Sequence, residues 1–376
     1  MLWLSPSEQR AIIPLDSSDS WVILNNQQTG FYRVMYDDFL LENISKALQQ
    51  PNFDGISEMN RAQIVNDLFS FGEGNKTKYS MIFDLLDYLK NEVDFLPWTA
   101  AFSAFLDIFN NISVYESVLM YKIRVYLVCL LEKVYTTIPI NAPVPDDNQY
   151  FAMKQSTVSE WACRLGYPSC LEDARPLFED YKHGKTINSH VKYGVLCNCV
   201  RYAANDSYFK FFVEQYVKSE DDEEQKYIIS ILTCTQDSDS VQLLLNWTLN
   251  NSSVLKAINH GVEIYIDLIF SSPHDLQLTL QFIKQNIEVL VKVYGKEMYD
   301  VILNMVDRFP DKKNFDQIED WKMPQSFDPT FHEKISKILK DSLPRLDWIK
   351  LHKDELYNYY DIIADSVDFY DVVIGG

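Results

Sequence analysis

The sequence predicts a mostly α-helical fold: a HEAT-like superhelical array of stacked antiparallel helix pairs, preceded by a short β piece. Three observations carry this. Glycine is scarce, 11 in 376 residues, while 47% of the chain is hydrophobic; the protein is therefore globular and poor in Gly-rich phosphate loops. From residue 38 onward, apolar residues recur at helical spacing in segments of about ten to twenty residues joined by short polar breaks. One stretch alone, residues 21–37, alternates with a period of two. No sequence period accompanies the helices, so the repeat is architectural; such stacks curve and present concave faces.

Residues 1–20 hold Trp3-Leu4 and the trio Ala11-Ile12-Ile13 before Pro14, enough for short strand edges but too few to close a sheet. The β part therefore reads as truncated on its N-terminal side. In residues 21–37 an apolar run from Trp21 to Leu24 is followed by a polar connection from Asn25 that ends in Gly30, as a hairpin would. Phe31, Arg33 and Met35 then fall on one side, and Tyr32, Val34 and Tyr36 on the other. Asp37 and Asp38 offer an N-cap for the first helix. The expected division is a partial β-sandwich over 1–37, its C-terminal strands only, and a helical superhelix over 38–370.

Phe39, Leu40, Ile44 and Leu48 stripe the first helix. Ser57 and Asn60 precede a run with Ile64, Leu68 and Phe71 that stops at Gly72-Glu73-Gly74. Met81, Leu85 and Leu89 make the next stripe, and Pro97 opens a helix carrying Phe102, Phe105, Leu106 and Phe109. A longer helix spans 114–135, and Pro139 to Pro145 is the clearest break. Further helices are expected over 150–164, 172–182, 188–202, 206–217, 223–234, 239–250, 254–270, 275–293, 296–308, 328–340 and 345–364.

The formal charge is −20, which argues against nucleic-acid binding, since phosphate contacts need clustered Lys and Arg. The acids are spread along the chain and read as a soluble surface. No run of about eighteen apolar residues suggests a transmembrane helix, and neither end reads as a signal peptide or anchor. Seven N-x-S/T triplets begin at Asn43, Asn75, Asn111, Asn205, Asn246, Asn250 and Asn251. Chance would place about two or three. The excess points to the secretory pathway and makes these asparagines glycosylation candidates.

Candidate chemistry is sparse. The closest approach to the zincin motif H-E-x-x-H is His332-Glu333-Lys334-Ile335-Ser336, where Ser336 cannot supply the second zinc ligand. No C-x-x-C zinc spacing and no G-x-S-x-G nucleophile elbow are present. His183 and His190 lie near Cys197 and Cys199 in sequence, but a Cys–His dyad needs a third orienting group and a cleft. The acids of residues 220–224 suit a helix N-terminus. Asp354, Glu355, Asp361, Asp365 and Asp368 read as the wet face of the last helix. Cys163 and Cys170 flank a Gly166-Tyr167-Pro168 turn; a clamping disulfide and two buried thiols both fit.

Taken together, residues 21–37, with Asn25, Gln28, Gly30, Tyr32-Arg33-Val34 and Tyr36-Asp37, resemble the end of the small β-sandwich in the aminopeptidase N family of zinc exopeptidases. Trp161-Ala162-Cys163-Arg164-Leu165-Gly166 with Cys170 resembles that family's first C-terminal disulfide. Val195-Leu196-Cys197-Asn198 and Ile231-Leu232-Thr233-Cys234 resemble the second. Trp247 to Asn250, Arg308-Phe309 and Trp348-Ile349 fall in family order. The flavour is that of insect gut and mammalian membrane alanyl aminopeptidases, and the likeness covers about residues 1–365.

The resemblance implies the helical C-terminal region, which packs on the catalytic domain and shapes the peptide chamber. It implies disulfides Cys163–Cys170 and Cys197–Cys234, with Cys129 and Cys199 outside the pattern as free thiols. The family's zinc ligands, exopeptidase loop and transition-state Tyr match nothing in this sequence, so no catalytic or metal residue carries over. The expectation is a chain inactive alone, without a cofactor of its own although the family holds zinc. Its partners would be peptides or a parent catalytic domain, in an extracellular or cell-surface setting. The alternative is a free-standing α-solenoid interaction scaffold derived from that family.

Overall fold

The computed structural model describes residues 10, 12, 21–112, 116–145, 148–249, 260–271, 273–309, 316–318, 321 and 329–366. The chain divides into two compact units, Met1–Tyr88 with Leu96–Ala101, and Leu89–Phe95 with Phe102–Gly376. Each is built from helices, and among the described residues there is no β-strand. None of the described helices is long and apolar enough to cross a membrane.

In the first unit, the hairpin expected over residues 21–37 is not formed. Its backbone groups find side-chain partners instead of a second strand. Asn25, in a left-handed conformation at φ 55°, plugs the loop with its own amide. Its Oδ1 accepts from the Gly30 N–H at 2.7 Å, and its Nδ2 donates to the carbonyls of Gly30 and Tyr32 at 2.9 and 3.0 Å. The extended segment that follows lies on helix α2 (Glu58–Glu73). There the Val34 N–H donates to Asp67 Oδ2 at 2.9 Å, and the Arg33 guanidinium pairs with Asp67 Oδ1 at 3.1 Å. Upstream, Gln27 N–H reaches Asn60 Oδ1 at 3.2 Å. These bonds, with those of Gln63 to the Leu24 carbonyl at 3.4 Å and to the Asn60 amide at 3.1 Å, explain why α2 buries the polar residues Asn60, Gln63 and Asp67. The boundary expected at residue 37 falls inside this unit for the same reason.

Asp37 caps helix α1 (Asp38–Leu48), its Oδ1 accepting from the Leu40 N–H at 2.8 Å, as its sequence position suggests. Ser57 caps α2 in the same way, and α3 (Tyr79–Leu86) buries Tyr79, Ile82 and Phe83. Helix α4 (Phe95–Asn111) has Leu96–Ala101 in the first unit and Phe95 and the residues from Phe102 onward in the second.

The second unit is a two-layer helical row. In order come α5 (Ser117–Thr137), α6 (Gln149–Arg164), α7 (Pro168–Lys182), α8 (Ser189–Arg201), α9 (Ser207–Lys218) and α10 (Asp222–Leu232). Then follow α11 (Ser238–Trp247), α12 (Gly261–Ser271), α13 (Pro273–Tyr294), α14 (Glu297–Asp307), α15 (Pro329–Asp341) and α16 (Leu343–Ser366). Helices α6, α8, α10, α12 and α14 each pack on the next to form one layer, with α7, α9 and α13 packed against it. The helix expected from 254 is described only from Gly261; residues 250–259 lie outside the described set.

This row curves until its last helix meets its first. Helix α16 packs on α5. Lys353 pairs with Glu116, Tyr357 Oη donates to Glu116 Oε2 at 3.1 Å, and Lys122 pairs with Asp361. The rings of Tyr126 and Tyr360 meet edge-on at 5.5 Å. Asp361 is thus more than part of a wet face: it helps to hold the closure. Asp354 is exposed, while the side chain of Asp365, and Asp368 altogether, lie outside the described residues.

Both disulfides implied by the resemblance are present. Cys163–Cys170 bridges the end of α6 to the start of α7 with Cα atoms 5.2 Å apart, and Cys197–Cys234 bridges α8 to the residues after α10 at 5.4 Å. Gly166 makes the first possible. It stands at φ 77° just past α6, where the Tyr167 N–H donates back to the Ala162 carbonyl and closes the helix end. Cys129 and Cys199 are free thiols.

Candidate functional site

The second unit holds a cavity of about 490 Å³ that is open to solvent on one side. Its wall takes residues from α4, α5, α6, α8, α12 and α13. Four arginines face it, Arg124, Arg164, Arg201 and Arg308, against one carboxylate among the described lining residues, Asp275. That balance is the reverse of the chain's, whose formal charge is −20. The remaining wall is largely apolar, part aliphatic and part aromatic. Trp161 stacks on Phe102 with ring centroids 4.8 Å apart and also lies along Phe109, and the Arg308 guanidinium sits 5.0 Å over the Phe270 ring.

Local structure explains how the cations meet. Arg164 and Arg201 are the last residues of α6 and α8, where the helix dipole favours positive charge. The Tyr202 hydroxyl donates to the Arg164 carbonyl at 2.7 Å and ties the two helix ends together. The Cys163–Cys170 bridge holds the chain on the other side of Arg164. At Gly166 an added Cβ would lie 3.0 Å from Arg124 Nη2, so the absent side chain leaves that guanidinium its room. Arg201 Nη1 donates to Asn198 Oδ1 at 2.6 Å, and Arg308 Nη2 donates to Asn110 Oδ1 at 2.9 Å. Burial, and then the like charge of Arg164, push the Arg201 pKa below its ordinary value. A carboxylate entering the cavity would relieve that repulsion and accept charge-assisted, bidentate bonds. The apolar wall would take the body of the same ligand.

The other sequence candidates do not assemble into chemistry. Cys197 is consumed in a disulfide. His190 Nε2 bonds Gln155 Oε1 at 2.6 Å, and His183 Nδ1 bonds the Glu179 carbonyl at 2.7 Å, so neither ring is bonded to Cys199. Burial pushes the Cys199 thiol up to about 12, away from the thiolate that a nucleophile requires. Among the described residues no three His, Cys, Asp or Glu side chains are grouped to hold a metal ion. The residues at hand do not fit the zinc of the family, since Ser336 stands where a second histidine is needed; the His332 side chain lies outside the described residues. The acidic run is a helix start: Asp221 caps α10, and Asp222 and Glu223 pair with Lys226. Of the sequons, Asn75, Asn205 and Asn246 are exposed, Asn43 and Asn111 are half-buried, and Asn250 and Asn251 lie outside the described residues.

Sequence reading did not find the arginine site. Its four members are spread from position 124 to position 308, and only the fold brings them together. Arg164 and Arg308 stood inside family-like strings, with nothing local to mark them as a site.

The profile of the ERAP1-like C-terminal domain matches residues 21–342. The chain therefore belongs to that family, the C-terminal domain of the aminopeptidase N family. Aminopeptidase N of Plutella xylostella is 28% identical over 291 residues, 76% of this chain and 30% of that protein. Aminopeptidase N of Bos taurus is 26% identical over 361 residues, 92% of this chain and 36% of its own. The thyrotropin-releasing hormone-degrading ectoenzyme of Rattus norvegicus is 25% identical over 384 residues, 96% of this chain and 34% of its own. The chain thus spans about a third of the length of these relatives.

Proposed function

We propose that this chain serves as the non-catalytic helical domain of an aminopeptidase-N-like exopeptidase, shaping the chamber in which N-terminal residues are removed from peptides. Within it, the arginine cavity receives the carboxylate end of a peptide. The observation that carries this reading is the convergence of four guanidiniums in an apolar-walled cavity of a strongly acidic chain. A peptide with an unmodified C-terminus offers a carboxylate at that end, and a bidentate guanidinium is the side chain best matched to it.

The catalytic domain of the parent enzyme is the proposed partner, and zinc chemistry belongs to that domain. The setting is extracellular or at the cell surface, in keeping with relatives described as membrane and ectoenzyme aminopeptidases. Phe31, Tyr32, Met35 and Phe39 are exposed at 111%, 60%, 59% and 71%, an apolar set suited to being covered by that partner.

The test is binding of fluorescent peptides that differ only in ending as a carboxylate or an amide. The carboxylate form should bind at least about tenfold more tightly, the weight of one charge-assisted bond. Arg164→Ala, chosen because this arginine is exposed, should erase the difference while leaving the thermal transition in place. Equal binding of both peptides would overturn the carboxylate reading. Hydrolysis of an amino-acid anilide by the chain alone, abolished by a chelator, would overturn its non-catalytic role.

A further inference from the structure

Five of the seven sequon asparagines are described residues, and the fold does not treat them alike. Two lie outside helices with the asparagine exposed. Asn75 is the left-handed residue just past α2, at φ 54°; its own N–H is tied to the Gly72 carbonyl at 2.9 Å, and its side-chain amide makes no hydrogen bond. Asn205 stands in the link between α8 and α9, where its Oδ1 accepts from the Ser207 N–H at 2.9 Å. That turn brings the amide beside the hydroxyl residue of its own sequon, and Ser207 is itself exposed. The other three are helical. Asn43 is half-buried within α1, Asn111 is half-buried as the last residue of α4, and Asn246 lies on α11. Asn246 is exposed, but its partner Thr248 is 2% exposed and its hydroxyl is bonded to the Leu245 carbonyl and the Tyr265 hydroxyl.

We infer that Asn75 and Asn205 are the N-glycan acceptors among these five sites, and that Asn43, Asn111 and Asn246 stay bare. An N-glycan is bulky and hydrophilic, so its asparagine must point into water from a segment that bends away from its neighbours. The donor is a polyisoprenyl-diphosphate-linked oligosaccharide. The asparagine Nδ2 bonds to the anomeric carbon, the bond from that carbon to the lipid diphosphate breaks, and the amide proton passes to a base of the transferase. The Thr248 hydroxyl is buried in the fold, so once α11 has packed the group that must align with the Asn246 amide is out of reach. At Asn43 and Asn111 a glycan would have to displace packed neighbours.

This inference rests on the extracellular setting proposed above, so its test supplies that setting. The full chain is secreted from insect cells behind a cleavable leader, and each asparagine is mapped by mass spectrometry after enzymatic deglycosylation, which leaves aspartate at every occupied site. Occupancy at Asn75 and Asn205 is expected, with Asn75→Gln and Asn205→Gln each removing one glycan's mass on a gel. Bare asparagine at both, or higher occupancy at Asn43, Asn111 or Asn246, overturns the inference. A natural chain that is bare while the leader-directed one is modified overturns the extracellular setting alone.

Discussion

The extended segment of the first unit and the helical row of the second solve the same problem in opposite ways. Along residues 31–36 the Val34 N–H is bonded to Asp67 of α2 and the Tyr32 carbonyl to the Asn25 amide, and only Val34 of the alternating set is buried, at 8% exposure. Its apolar neighbours Phe31, Tyr32 and Met35 stand in water. In the helical row most of the backbone is bonded within helices, and the aromatic payload is interior: Phe105, Phe178 and Phe212 are each exposed by 1% or less. The segment is held by polar anchors and the row by packing, so the two should fail under different substitutions.

The largest expected effect is in the row. Phe105→Ala removes a fully buried ring and should cost about 3–5 kcal/mol in chemical denaturation of the whole chain. A loss under about 1 kcal/mol would mean that this core is loosely packed. The bridges sharpen the point. Reducing Cys197–Cys234, which closes 37 residues, should cost about 4 kcal/mol, and Cys163–Cys170, which closes seven, about 2 kcal/mol, measured on the paired Cys→Ala variants.

Asp267 is the row's exception, a carboxylate half-buried on α12. Burial raises its pKa to about 6, and its one hydrogen bond, from the Thr233 hydroxyl at 3.5 Å, is too long to compensate. The folded state therefore holds the proton more tightly than the unfolded chain does. Stability conferred by that proton is present below about pH 4, is lost as pH rises to about 6, and is flat beyond. The loss is about 2–3 kcal/mol. Asp267→Asn should abolish this part of the pH profile and be the more stable protein at neutral pH; parallel profiles for the two proteins would refute the assignment.

On the segment, Asp67→Ala should cost about 2–3 kcal/mol, because it strands the Val34 N–H and frees the Arg33 guanidinium. The readout is faster hydrogen exchange confined to residues 31–37. Phe31→Ser is the smallest change. It should alter stability by less than about 0.5 kcal/mol while lowering hydrophobic-dye binding. A larger stability loss would show that this ring already has a partner within the chain.

Much of the helical architecture was legible in advance, and for local reasons. The Asp37 cap, the stop at Gly72-Glu73-Gly74 and the turn at Gly166-Tyr167-Pro168 are set by bonds within a few residues, so their sequence signals survive folding. Residues 21–37 form no paired strand among the described residues, because period-two alternation reports an extended backbone with one covered face and says nothing of what covers it. Here α2 takes the place of a second strand, through residues more than thirty positions away. The buried Asn60, Gln63 and Asp67 were illegible for the same reason.

The sequence alone determined that this is a helical, acidic chain of the aminopeptidase N lineage, with four cysteines in two family pairs. Composition, periodicity and motif strings are properties of the chain as written, and no fold is needed to read them. Only the tertiary structure decided that the row closes α16 onto α5, and that Arg124, Arg164, Arg201 and Arg308 share one cavity. Those facts depend on which helix ends meet in space. Coulomb energies of like charges become informative only at that range, where four arginines scattered along an acidic sequence line one cavity.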